Sequence, residues 1–135
     1  PWPDNKSFAK LCKKNSICFV QLIAPTTTKK RMKLIVKDSH QLIYQVSNVN
    51  ITGGKLKSTT KTILNNYKTI KSINPKKLVI IGFGITKDTI GNFKAANGLV
   101  VGSACCKVIS NAIKKRQNPA KNLNIMLKDL KSRVI

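Results

Sequence analysis

Two glycine-bearing stretches offer the clearest chemistry. LVIIGFG (78–84) and GLVVGS (98–103) each run from apolar residues into glycine, and each is followed by a segment with helical character. Glycine weakens a strand, so Gly82, Gly84 and Gly102 need a reason. One is a tight strand-to-helix turn. The other is a backbone that must approach a ligand, above all a phosphate, which bare N–H groups at a helix start receive well. The titratable groups offer less. The carboxylates are Asp4, Asp38, Asp88 and Asp129, with no Glu anywhere, and the spacing puts all four on helices or helix starts. Asp38 and Asp129 fall late in helices, on the far side from the strand C-terminal ends. No pair is poised for general acid–base chemistry. His40 is a lone histidine at a helix–strand junction, expected to be structural or solvent-facing. Cys12, Cys18, Cys105 and Cys106 match no zinc or redox spacing and read as small apolar residues in a reducing compartment.

The elements that hold these residues alternate. Helical spacing over 8–15 precedes a β-rich run at 17–24. Threonines 26–28 cap a helix to residue 38, and a strand follows at 41–47. After a polar, glycine-containing loop (48–58), a helix spans about 59–70 and a strand 78–83. A short helix over 87–95, with Thr86 and Asp88 as its capping residues, precedes a strand at 98–103. Helices at 104–116 and 123–131 close the chain, with a turn at 118–120. Four strand–helix units in succession make a parallel α/β sheet, its strands apolar enough to be buried on both faces. An open doubly wound sheet and part of a (β/α)8 barrel both satisfy this. No G-x-G-x-x-G follows the first strand, which argues against a dinucleotide fold. Glycine-ended strands in the last two units favour the barrel, where the loops after strands seven and eight often bind phosphate. A complete barrel takes about 250 residues. With 135 residues and Pro1 in place of Met, the chain is expected to be a C-terminal half: a single incomplete domain over 1–135.

Net charge is +22, from 26 basic and 4 acidic side chains. That would suit a polyanion, but 23 of the bases are Lys and 3 are Arg, spread along the whole chain. Sequence-specific nucleic-acid readers lean on arginine, and an AT-rich coding bias yields the same excess of Ile, Lys and Asn. Nucleic acid is therefore disfavoured as a partner. No apolar run reaches the roughly 18–20 residues of a membrane span, and a cytoplasmic protein, or a plastid stromal one, is expected.

Four blocks, in order and at their intervals, then point further: APTTT (24–28), LIYQVSNVNITGG (42–54), IGFGIT (81–86) and NGLVVGSA (97–104). With them the chain resembles the α subunit of tryptophan synthase over residues 1–116, leaving 117–135 as a C-terminal helical extension. The resemblance implies the C-terminal half of a (β/α)8 TIM barrel and a lyase that cleaves indole-3-glycerol phosphate to indole and glyceraldehyde 3-phosphate. It implies phosphate contacts at Thr52, Gly53, Phe83, Gly84, Gly102 and Ser103, and a substrate-lining tyrosine at Tyr44. The family's catalytic Glu and Asp would lie upstream, so no catalytic residue is expected here and the chain alone should be inactive. The subunit itself would carry no cofactor. Its β-subunit partner, in an α2β2 assembly, would hold pyridoxal phosphate. Asn50, His40-Gln41 and Asn97 depart from the family's usual Gly, Gly and Asp. Alternatives are an inactive remnant, another phosphate-binding barrel such as indole-3-glycerol phosphate synthase, or a basic nucleic-acid-binding protein.

Overall fold

Threonine and asparagine start three of the helices by the same device. Thr28 accepts a bond from the Arg31 N–H, Thr59 from that of Thr62 and Asn118 from that of Lys121, each satisfying one of the donors a helix start leaves open. The computed structural model describes residues 5–46, 59–82 and 85–135. In chain order they form helix α1 (Lys6–Lys14), strand β1 (Gln21–Ile23), α2 (Lys29–Asp38), β2 (Leu42–Val46), α3 (Thr60–Ile73) and β3 (Leu78–Gly82). A 3₁₀ turn (Ile90–Phe93), β4 (Gly98–Val100), α4 (Ser103–Lys114) and α5 (Pro119–Ser132) complete the order.

The four strands pair in parallel in the order β1-β2-β3-β4. Period-two alternation sends Ile23, Ile43, Val79 and Ile81 to one face, where each is fully buried. Met32, Ile35 and Val36 of α2 and Ile70 of α3 pack on that face. A second cluster joins Ile63, Ile81, Ile85, Ile90, Phe93 and Leu130, tying α3, the segment after β3, and α5 together. The other face is open: Leu22 is 60% exposed, Leu78 41% and Val100 38%. Burial on both faces was expected from the apolar strands, and the structure shows it on one. Such a sheet is buried like one wall of a barrel, whose inward side chains are covered only by the opposite wall.

Three boundaries differ from the sequence reading. The run 17–24 is a strand only at Gln21–Ile23. Before it, Ser16 turns through a positive φ of 56°, the Ile17 N–H bonds the Cys12 carbonyl and the Phe19 N–H bonds His40 Nδ1 at 3.0 Å. Those donors are spent locally instead of on a ladder. His40 is thus a structural acceptor. The short helix at 87–95 shrinks to the 3₁₀ turn, and Thr86 and Asp88 cap nothing: the Thr86 N–H bonds Thr89 Oγ1 across a turn, and Asp88 is exposed. The last helix begins at Pro119, a residue whose missing N–H costs nothing at a first turn.

Lys77 braces the sheet's lower end. Only 8% exposed, it donates from Nζ to the Ser39 carbonyl at 2.6 Å and the His40 carbonyl at 2.8 Å, placing a cation just past the C-terminus of α2. Burial pulls its ammonium below the ordinary lysine value. Asp129 does the corresponding work for α5. Its carboxylate meets Lys87 Nζ at 3.0 Å and Arg133 at 3.3 Å, so it faces the segment that follows β3 and not, as its late position in the sequence suggested, the remote end of the fold. The Lys87 ammonium first, and then the Arg133 guanidinium, hold its carboxyl below the usual carboxylate range. A depressed acid stabilises the fold above the ordinary carboxylate range and loses that contribution as pH falls through its folded value. We expect melting temperature to fall on acidification with a component that Asp129→Asn removes. Identical acid profiles for the two proteins would contradict this.

Candidate phosphate-binding site

The parallel register lines up the strand ends. Val46 pairs with Gly82, and Gly82 with Val100, so one row closes the C-terminal edge of β2, β3 and β4. From that row the chain leaves into 47–58, into 83–84, and through Val101 to Gly102-Ser103. Thr52, Gly53, Phe83 and Gly84 fall outside the described residues. Tyr44, Gly102 and Ser103 are described.

Tyr44 sits between Leu22 and Ile80 on the sheet's open face, since its neighbours Ile43 and Gln45 are buried toward the helices. Its ring tip lies against Gly82. A Cβ built on Gly82 would overlap the Tyr44 hydroxyl and would stand 3.1 Å from the Val100 Cβ. Glycine at 82 is therefore a packing requirement imposed by the tyrosine. Burial pushes the Tyr44 phenol up from its ordinary value, keeping it a protonated hydroxyl at neutral pH.

Gly102 differs. Among the described residues a Cβ there would meet nothing within 4 Å, and its φ of −109° suits any residue. Neither packing nor conformation calls for glycine. What the position does is cap α4 without a side chain: Gly102 and Ser103 are exposed, no acid occupies the first turn, and the Cys106 N–H is the first to bond back, to the Gly102 carbonyl at 3.2 Å. The preceding N–H groups have no acceptor within the helix, and with the Ser103 hydroxyl they could receive an anion at the start of a helix of 12 residues.

The sequence profile of the tryptophan synthase alpha chain family matches residues 1–134. The chain belongs to that family. It is 57% identical over 129 residues to the tryptophan synthase alpha chain of Pelagibacter ubique, covering 95% of this chain and 49% of that one. To the Arabidopsis thaliana alpha chain it is 33% identical over 138 residues, with 100% and 49% covered. A solved protein from Aquifex aeolicus VF5 superposes with a TM-score of 0.73 at 30% identity, covering 98% of this chain and 47% of that one. Tryptophan synthase subunit alpha from Legionella pneumophila superposes at 0.75 and 20% identity, a likeness of fold, with 96% and 47% covered. The chain thus spans about half the length of the relatives it matches. Its four strand–helix units are half of a (β/α)8 barrel, as the sequence implied.

Three structural roles had no clear sequence signal. Gln45 is fully buried and donates to the Ile63 carbonyl at 2.5 Å, fixing α3 against β2. Lys77 is one basic residue among many until its burial is seen. Asn97, where the family resemblance leads one to expect Asp, accepts the Val79 N–H at 3.0 Å and returns its own N–H to the Val79 carbonyl at 3.1 Å, a side-chain extension of the β3–β4 pairing. Only oxygen is needed for the first bond, so Asn serves as Asp would. The four cysteines are free thiols, with Cys12 buried. Among the described residues no His, Cys, Asp and Glu cluster could hold a metal, and no helix is long and apolar enough to cross a membrane.

Gly82→Ala should force the Tyr44 ring aside and destabilise the fold by about 1–3 kcal/mol, the usual cost of overpacking. Adding Tyr44→Ala to Gly82→Ala should recover part of that loss. Chemical denaturation of the single and double variants measures it, and strict additivity would refute the contact.

Proposed function

We propose that these residues are the phosphate-gripping half of a tryptophan synthase α subunit, a lyase that splits indole-3-glycerol phosphate into indole and glyceraldehyde 3-phosphate. The observation that carries the reading is Gly102: a glycine that no described neighbour crowds and no positive φ requires, at the start of α4, in a chain of this family. Backbone N–H groups around Gly102 and Ser103, with the Ser103 hydroxyl, receive the substrate phosphate. Thr52, Gly53, Phe83 and Gly84, which follow β2 and β3 in the chain, extend the grip, and the register brings the ends of those strands into one row. Tyr44, protonated and half-buried beside that row, lines the substrate's path.

The described carboxylates have other work. Asp38 pairs with Lys6 at 3.6 Å, Asp129 with Lys87 and Arg133, and Asp88 stands exposed in a turn. Cleaving the carbon–carbon bond needs a proton delivered to the indole ring and others removed from hydroxyl and ring nitrogen. A glutamate and an aspartate on the remaining barrel half would do this, and that half would also cover the open face at Leu22, Leu78 and Val100. The β subunit, carrying pyridoxal phosphate, would receive the indole.

In the full-length protein, Gly102→Ala should leave stability within about 0.5 kcal/mol, as at other unobstructed surface sites. It should weaken glycerol phosphate binding by roughly 10–100-fold, because the new methyl holds the anion off N–H groups worth about 1.5–3 kcal/mol. Titration calorimetry beside a thermal melt separates the two effects. Unchanged affinity would remove Gly102 from the site.

A further inference from the structure

The strand that delivers the start of α4 is short. β4 pairs with β3 only through Gly98, Leu99 and Val100. From Val100 the chain passes through Val101 straight into Gly102 and Ser103, so whatever sets β4 against β3 also sets where those residues stand. The contacts that do this gather at the entrance to β4. Consecutive N–H groups of β3 turn to opposite neighbours: that of Leu78 reaches the Gln41 carbonyl, ahead of β2, at 2.9 Å, and that of Val79 reaches Asn97 Oδ1 at 3.0 Å. Asn97 also gives its own N–H to the Val79 carbonyl at 3.1 Å. One residue thus meets both polar backbone groups of a fully buried strand residue, from its side chain and its backbone. Because the Val79 group is a donor, the side-chain atom facing it is the oxygen. The next residue guards the same register. A Cβ on Gly98 would stand 3.0 Å from Ile80 Cγ2, so sliding β4 by one residue would bring the side chain of Asn97 or Leu99 into a space already tight. From α3, Tyr67 donates its hydroxyl to the Ala95 carbonyl at 2.5 Å, holding the approach to Asn97.

We propose that Asn97 is a positioning residue for phosphate binding: its double bond to Val79 fixes β4 against β3 and so holds the N–H groups and hydroxyl at Gly102 and Ser103 where the phosphate arrives. The inference rests on the proposed grip and adds a residue that acts at the strand's entrance instead of at the ligand. Binding groups must be held within about 0.5 Å of their working positions. Gly102 has no side chain by which it could be anchored, so its place comes from the strand that leads to it. What the clamp needs at residue 97 is an acceptor, which Asp supplies as well as Asn and an aliphatic side chain does not. Asn97 is exposed, so a carboxylate there would stay solvated.

The test is calorimetric titration of the full-length protein with glycerol phosphate, well below its melting temperature. Asn97→Ala should weaken binding by about fivefold or more, and Asn97→Asp should stay within about twofold of the parent. Ile70→Val trims the helix-side cluster and lowers the melting temperature, yet should also stay within about twofold in affinity. Gly102→Ala, run alongside, reports on the grip itself. Weakened binding in Gly102→Ala with parental affinity in Asn97→Ala would overturn the positioning role and leave the grip standing. Parental affinity in both would remove the grip, and the inference with it. Equal losses from Asn97→Ala and Ile70→Val would reduce the effect to lost stability. A loss in Asn97→Asp as large as in Asn97→Ala would rule out the acceptor, and either result overturns the proposal. Where Asn97→Ala does not fold, Asn97→Gln takes its place, its acceptor set one methylene further out. A several-fold loss is expected for it, and parental affinity would overturn the inference.

Discussion

Parallel pairing constrains everything else in this fold. A parallel sheet returns each strand to the same end, so every loop leaving a strand C-terminus is delivered to one rim and every helix must run back outside. Here the row Val46–Gly82–Val100 is that rim, and the three segments that we propose hold phosphate all depart from it. Shifting β3 by one residue against β2 would turn Gly82 away from the Tyr44 hydroxyl and expose the apolar face carrying Val79 and Ile81. The glycine and the tyrosine therefore fix the register as well as depend on it. A site spread over segments far apart in sequence needs only that register to be assembled.

The sheet is covered on one face, and polar contacts reinforce the covered side from both ends. Lys77 joins the start of β3 to the end of α2, and Asp129 joins α5 to the segment after β3. Gln45 does the same from within, tying β2 to α3. These contacts lie on the helix side, where the hydrophobic clusters already are. The open side has apolar residues and no such contacts to Leu22, Leu78 or Val100. A face built to meet water would alternate polar residues outward, as antiparallel sheets do. This one does not, in keeping with a wall whose inner surface is completed by other strands.

Much of this could be read in the sequence because it depends on local pattern. Strand and helix order followed from apolar period, and the cap at Thr28 sits among the threonines 26–28 where residue type put it. What could not be read depends on partners distant in sequence. The strand expected from residue 17 starts at Gln21 because His40, 21 residues away from Phe19, captures the Phe19 N–H. The short helix before β4 is the exception, shortened by a local contact in which Thr86 and Thr89 bond each other across a turn. For the site, composition could not separate the two kinds of glycine. Gly82 and Gly102 look alike at strand ends, yet one is crowded by a phenol and the other by none of the described residues. Only coordinates distinguish a glycine needed by its neighbours from one that neighbours would permit to be anything.

That distinction bears on how binding and chemistry are divided in the barrel. Backbone N–H groups hold a phosphate without titrating, so a grip made from glycines and a helix start works at any pH where the ester is ionised. Acid–base chemistry needs the reverse, side chains whose protonation responds to surroundings. The described residues supply the first kind of group at one rim and tie the carboxylates of Asp38 and Asp129 into ion pairs elsewhere. A depressed, doubly bonded Asp129 is a poor proton donor at neutral pH, and its place on α5 serves the packing of Ile85, Ile90 and Leu130 beneath it. Under the proposed function the two tasks fall to different halves, in keeping with their physical demands: one wants a rigid, bare backbone at strand ends, and the other wants carboxylates free of competing cations.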